Sequence, residues 1–231
     1  MSATAKASDY GKGVPEILER KFSSEEVEKD YSRVAWMYDV WSEFTESKAV
    51  NRSIVLADIR DGESILEVAV GTGIAFKKIV ERNKHGGNEG IDISQAMLSR
   101  TIRRMKKCDI NAYHSQLGNA YGLPFGDSQF DLLVNSYMLD LLPESDFISI
   151  LNEFNRVLKP QGRVVIVSMA YGQRWYNHFW NWVARHYRSL LTNCRPVSIE
   201  NYMKAAGFSN FIPESISQNT VASQVVTAKK L

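Results

Sequence analysis

Ile65-Leu66-Glu67-Val68-Ala69-Val70-Gly71-Thr72-Gly73-Ile74-Ala75-Phe76 reads as an apolar strand that breaks at a glycine pair and passes straight into a helix. Gly71 and Gly73 let the backbone turn tightly and bring a ligand against bare peptide. The N–H groups freed at the helix start, with the positive end of its dipole, suit an anionic group. Glu67 is an acid inside an otherwise apolar strand, and a carboxylate placed there needs a cationic or donor partner. Together these features describe a pocket for a small cofactor. The glycine pair alone would equally describe a plain strand–helix turn, because short glycine motifs recur by chance.

Around this stretch lie 231 residues, 44% hydrophobic and 23% charged, with a net charge of +2. Such values suit a globular chain with a single core, and the charge is too small to point to nucleic acid. Two cysteines, Cys108 and Cys194, give neither a disulfide framework nor a zinc site, and no metal is expected. No apolar run reaches the roughly 18 residues of a membrane span, and residues 1–13 lack the apolar core of a secretory signal. The expected location is therefore cytoplasmic. The organisation expected is a loose tail over 1–22 and one domain over 23–231. That domain divides into a helical cap (24–60), a cofactor-binding core (61–168) and an aromatic helix with closing strands (169–231).

Beyond the cap, strands are expected over 64–70, 88–92, 111–115, 130–135 and 162–168. Helices are expected over 46–59, 73–84, 94–107 and 144–158. Strands alternating with helices of this length imply right-handed crossovers and a parallel α/β sheet. A helix over 173–191, a short one over 198–206 and strands over 208–215 and 220–229 follow. The last two are too close in sequence for a parallel crossover, so one strand near the sheet edge should be reversed. Ligands of such sheets bind beyond the carboxyl ends of the strands, where the strand order switches.

Other polar residues fall at those same ends. Asp92, closing Gly90-Ile91-Asp92-Ile93-Ser94, is placed to accept both hydroxyls of a ribose, while Ser94 is the better helix cap. Ile93 and Met97 lie beside it and join the candidate cofactor set. In the loop Gly118-Asn119-Ala120-Tyr121-Gly122-Leu123-Pro124-Phe125, Asn119 offers a carbonyl to an exocyclic amine and Ala120 an N–H to a ring nitrogen. Asparagine in such a loop is also a common turn former. Asn135 and Ser136 end the fourth strand beside the same pocket. The segment Arg156 to Arg163 is read as structural, and the run Arg100 to Lys107 as a solvated helix face.

A dinucleotide site would want a third glycine where Phe76 stands, and a P-loop would want Gly-Lys-Ser/Thr after the turn. Neither fits. The ordered series from Ile65 to Gly73, Gly90 to Ser94, Gly118 to Ala120, Leu123 to Phe125 and Arg156 to Pro160 instead resembles the class I S-adenosylmethionine-dependent methyltransferases. It is most similar to the branch of the ubiquinone/menaquinone C-methyltransferases (methyltransferase type 11), over about residues 30 to 168. The resemblance implies a Rossmann-like, seven-stranded, mostly parallel sheet whose last strand is antiparallel, with helices on both faces and an N-terminal helical lid. It implies S-adenosyl-L-methionine as cofactor: the Gly71–Gly73 turn and Glu67 at the methionine end, Asp92 on the ribose, Asn119 and Ala120 on the adenine. Ala69 stands where most members have glycine, though the quinone branch also uses alanine. Asn119 replaces the usual aspartate, and residues 169–197 do not match the quinone enzymes, so quinone specificity is not implied.

The implied reaction is an in-line displacement on a sulfonium, for which positioning and exclusion of water provide much of the rate enhancement. Tyr31 and Tyr38 match lid positions over the cofactor, and either cover it or pack as an ordinary amphipathic helix. Candidate bases are His178, His186, Tyr137 and Asp140, the last of which would alternatively cap the helix near Glu144. The Asn/Asp-Pro-Pro-Tyr/Phe arrangement of amide and nucleobase N-methyltransferases is absent after Asn135, so nucleic acid is not the expected acceptor. A small apolar or aromatic molecule is expected instead. Residues 154–199 carry seven arginines and lysines and no acid, with aromatic stripes over 173–191. That helix either covers the site, joins a homodimer, or meets an anionic membrane surface. A phospholipid headgroup N-methyltransferase and a non-catalytic cofactor-binding protein are the alternative functions.

Overall fold

The computed structural model describes residues 47–107, 112–170, 196–218 and 221–231. The expected lid helix with Tyr31 and Tyr38, and the aromatic helix with His178 and His186, lie outside these residues. In chain order the described elements are α1 (Ser47–Leu56), β1 (Ser64–Val68), α2 (Ile74–Arg82), β2 (Gly87–Asp92), α3 (Gln95–Met105), β3 (His114–Leu117) and β4 (Phe130–Ser136). Then come α4 (Phe147–Val157), β5 (Leu158–Met169), α5 (Glu200–Ala205), β6 (Phe208–Gln218) and β7 (Val221–Lys230).

The strands form one seven-stranded sheet in the order β3-β2-β1-β4-β5-β7-β6. Strands β1 to β5 pair in parallel, and β7 runs antiparallel to both of its neighbours. The fold class and the reversed strand are as expected. Order reverses between β1 and β4, so the crevice beyond their carboxyl ends is the switch point, and the glycine turn leaves β1 there.

Each face of the sheet carries its own core. On one side Leu66, Val68, Leu133 and Ile166 pack against Phe147, Ile150, Leu151 and Phe154 of α4. On the other, Ile65, Leu132, Val134 and Val165 meet Ala49, Val50 and Ile54 of α1 and Ala75 and Ile79 of α2. The helix residues recur at spacings of three or four, so each helix turns one apolar stripe to the sheet. Each large side chain so buried contributes about 1.5–3 kcal/mol.

Several boundaries differ from expectation for local reasons. β1 ends at Val68 rather than 70 because Ala69 adopts a left-handed φ of 62°. β3 runs over His114–Leu117 rather than 111–115, its place fixed by pairing with Glu89–Asp92 on β2 and not by any apolar pattern of its own. Residues Glu144–Asp146 form a 3-10 turn, so α4 starts at Phe147. β5 begins at Leu158 because that residue already pairs with Phe130, before a register shift hands the ladder on to Arg163.

Candidate functional site

The turn after β1 is shaped by three left-handed residues: Ala69 (φ 62°), Gly71 (φ 55°) and Gly73 (φ 79°). The two glycines do different work. A Cβ on Gly71 would meet nothing within 4 Å, so that side of the turn is open to a ligand. A Cβ on Gly73 would lie 2.9 Å from the Thr101 hydroxyl oxygen, so this glycine lets α3 close onto the turn instead of baring peptide to a ligand. From α3, Thr101 Oγ1 donates to the Gly71 carbonyl at 2.8 Å and Arg104 Nε to the Thr72 carbonyl at 2.7 Å. Arg104 was expected on a solvated face; it holds the turn. Its three-residue spacing from Thr101 puts both on one helical face, the signal from which this pairing could have been read.

Phe76 is fully buried where a dinucleotide fold has glycine. The ring has room because β2 has glycine opposite: a Cβ on Gly90 would sit 2.9 Å from Phe76 Cζ and 2.9 Å from Val70 Cγ1. Sequence spacing identified the bulk at position 76 but not its partner at 90.

Two carboxyls lie behind the turn. Asp92 Oδ2 accepts from the Gly71 N–H at 2.8 Å and Oδ1 from the Ser94 N–H at 2.9 Å. Burial raises its pKa, and the turn amides of Ser94, Gly71 and Ile93 oppose that rise. Ser94 caps α3 as expected, its hydroxyl accepting from Met97 N at 3.4 Å. Glu67 is 2% exposed, and its Oε2 meets no hydrogen-bond partner among the described residues. The expected partner for this acid is thus not supplied by the described protein. Burial, and secondarily the charge of Asp92, hold its pKa well above the ordinary carboxyl value.

The end of β4 adds more buried polar atoms. Asn135 Nδ2 donates to the Val68 carbonyl at 2.9 Å, tying β4 to β1, while its Oδ1 and the Ser136 Oγ are buried without partners among the described residues. Tyr137, at φ 55°, is buried and its hydroxyl is 2.8 Å from Ser223 Oγ on β7. Asp140 sits in a buried 3-10 turn and accepts from Met169 N at 2.8 Å, which replaces the helix-capping alternative. Tyr137 and Asp140, the candidate bases among the described residues, thus each hydrogen-bond to the sheet.

The loop after β3 folds as a turn. Asn119 Oδ1 accepts from Tyr121 N at 3.0 Å, and the Gly118 N–H donates to the Asp92 carbonyl. Ala120 is partly buried against the core, and Met97 is buried on α3. Ile93 (40% exposed), Leu117 (51%) and Tyr121 (40%) leave an apolar rim beyond β2 and β3. Arg156 fixes this loop from below, reaching the carbonyls of Leu123 and Phe125 and the carboxylates of Glu153 and Asp127. Lys159 pairs with Asp131 and Arg163 with Glu63. The first three cations of the basic run are thus engaged with acids from outside it; Arg174, Arg185, Arg188 and Arg195 lie outside the described residues. Among the described residues no cluster of His, Cys, Asp and Glu could hold a metal, and no helix is long and apolar enough to cross a membrane.

Comparison with known proteins agrees with this geometry. Residues 65–162 match a methyltransferase domain family. A demethylmenaquinone methyltransferase of Bacillus velezensis is 31% identical over 144 residues, covering 62% of this chain and 61% of that protein. The chain thus spans about three-fifths of the length of such relatives. A structure titled as an S-adenosylmethionine-dependent methyltransferase from Methanosarcina mazei superposes with a TM-score of 0.63 at 20% identity, over 77% of this chain and 97% of that one. The [4+2]-cyclase SpnF superposes with a TM-score of 0.71 at 16% identity, over 90% of this chain and 97% of that one. At such identities the structures speak for the fold alone.

Proposed function

We propose that this chain, whose core belongs to the class I S-adenosylmethionine-dependent methyltransferases of the menaquinone-like branch, transfers a methyl group to a small apolar or aromatic acceptor. The observation that carries the reading is the group of buried polar atoms without partners among the described residues, Glu67 Oε2, Asn135 Oδ1 and Ser136 Oγ, set behind an open glycine turn at the switch point. Such atoms cost about 1–3 kcal/mol each when left unmatched, and a donor-bearing ligand relieves them. The residues present therefore fit an amino-acid-bearing nucleoside.

In this reading Asp92 takes the ribose hydroxyls. Its oxygens offer about four acceptor sites, and the amides of Gly71 and Ser94 use two of them. Ile93 and Leu117 flank the adenine, which Asn119 and Ala120 meet at its edge. Glu67, with Ser136 on the same face of the sheet, receives the amino end. Thr101 and Arg104 hold the carbonyls of Gly71 and Thr72 back on α3, so that the turn keeps one shape. When bound, the cofactor supplies a methyl group on an already activated sulfonium. The chain's share is to align the acceptor in line with that bond and to exclude water. No general base is required of Tyr137 or Asp140. The acceptor class follows the name of the relatives.

Isothermal titration with S-adenosylmethionine and S-adenosylhomocysteine tests the pocket, and failure to bind either would sink the proposal. A tritiated-methyl transfer screen over small aromatic, lipid and protein fractions then identifies the acceptor. Label entering phospholipid alone would replace the aromatic acceptor with a lipid headgroup, and cofactor binding without transfer to any fraction would leave a binding protein.

A further inference from the structure

Among the described residues, the cluster behind the turn has acceptors and no cation. Glu67 projects from β1 onto the same face as Asp92 of β2, since Glu67 pairs with Gly90 and side chains alternate along a strand. Ser136 follows on β4 two residues after Val134, the partner of Glu67. Glu67 Oε2 and Ser136 Oγ are buried without partners among the described residues.

Three cations on the surrounding elements are engaged elsewhere. Lys77 of α2 pairs with Glu81, Arg52 of α1 with Glu214, and Arg104 of α3 holds the Thr72 carbonyl. The Tyr137 hydroxyl after β4 faces Ser223. The ionisable neighbour acting on Glu67 is Asp92, a second acid. Two carboxylates in a site of this dryness do not both ionise readily without a cation between them.

We propose that Glu67 is neutral in the free protein and gives up its proton when an α-ammonium group reaches it, so that the site selects ligands carrying that cation. The inference rests on the cofactor reading above and adds a proton to it. One proton leaves the Glu67 carboxyl for solvent as the ammonium arrives, and the pair that forms is a buried, charge-assisted contact. A neutral Glu67 spares the free protein an uncompensated buried charge, and the raised pKa of Glu67 agrees with that state. A ligand lacking the ammonium has no means of drawing the proton off, and would bind beside a neutral acid.

The test is calorimetric and needs no turnover. S-adenosylhomocysteine and 5′-methylthioadenosine, which lacks the amino-acid part, are titrated from about pH 5.5 to about pH 8 in buffers of contrasting ionisation enthalpy. For S-adenosylhomocysteine the expected result is release of about one proton at the acidic end, with affinity rising up to about tenfold per pH unit there and levelling at the alkaline end. 5′-Methylthioadenosine should bind with no such proton release. Glu67→Gln, which keeps shape but cannot ionise, should flatten the profile for S-adenosylhomocysteine. Binding of S-adenosylhomocysteine with no buffer dependence at the acidic end would overturn the inference while leaving the cofactor reading intact. Equal proton release by both ligands would also overturn it and move the titrating group to Asp92. Failure of both ligands to bind would remove the cofactor reading itself, and this inference with it.

Discussion

The two ends of the parallel strands are built to different standards. At the amino ends polar groups are matched. Asn83 accepts from Gly62 N and donates to the Glu63 carbonyl and to Asn88 Oδ1, while Asn88 donates back to the Asn83 carbonyl. Asp131 takes Lys159 and the Ser64 N–H, and Arg163 grips Glu63 with two contacts of 2.7 and 2.9 Å. At the carboxyl ends the same strands carry buried polar atoms of Glu67, Asn135 and Ser136 without described partners. One end closes the fold upon itself, and the other leaves buried polar atoms unmatched among the described residues. Buried polar groups are ordinarily hydrogen-bonded, so a group of unmatched ones marks a place that a ligand can complete.

The contrast breaks most visibly at Asn83. Asn83→Ala strips partners from Gly62 N, the Glu63 carbonyl and Asn88, and should cost about 3 kcal/mol in denaturant unfolding. The refolded protein should bind cofactor as before; a loss of affinity would mean the two ends are coupled. Asp92→Ala probes the opposite end. Removing the proposed ribose acceptor and the partner of two turn amides should weaken S-adenosylhomocysteine by about a hundredfold in titration, roughly 2.7 kcal/mol. Unchanged binding would contradict the ribose assignment.

A pH series on the free protein sharpens the comparison further. Folded Glu67 keeps its proton above the ordinary value of 4.5, so between that value and its raised one the folded state binds more protons than the unfolded chain. Its contribution to stability is therefore full below this window and is lost as pH rises through it, at up to about 1.4 kcal/mol per pH unit. Asp92, raised by burial, adds in the same direction. Glu67→Gln should reduce that decline in unfolding curves taken across the range, and an unaltered slope would remove Glu67 as its source. The smallest effect belongs to Ala69. Glycine at that left-handed position should raise stability by about 1 kcal/mol or less in the same assay, since strain relief is offset by a more flexible unfolded chain.

The sequence announced what is local. The run from Ile65 to Phe76, the acid at the end of β2, the Ser94 cap and the reversed closing strand are each legible from short spacing. Long-range fit was not. Leu117 pairs with Asp92 in β3, an edge strand whose His114-Ser115-Gln116-Leu117 carries no alternating apolar signal. Arg104 looks like one more cation in a basic helix until the Thr72 carbonyl is placed beside it. Glu67 is legible as a buried acid in want of a partner, but that its charged neighbour is another acid follows only from how β2 lies beside β1. The contacts of Tyr137 with Ser223 and of Asp140 with the Met169 N–H are likewise visible only in the fold.

Phe76 and Gly90 also bear on which histories are open to this chain. Enlarging position 90 drives a side chain into the ring, and shrinking position 76 leaves a hole beside Val70. Each change harms alone, and the two together would be far better tolerated. Drift toward the glycine-rich turn of a dinucleotide enzyme must therefore cross a less stable single mutant. Such a fitness valley would keep a lineage with its cofactor long after its acceptor had changed.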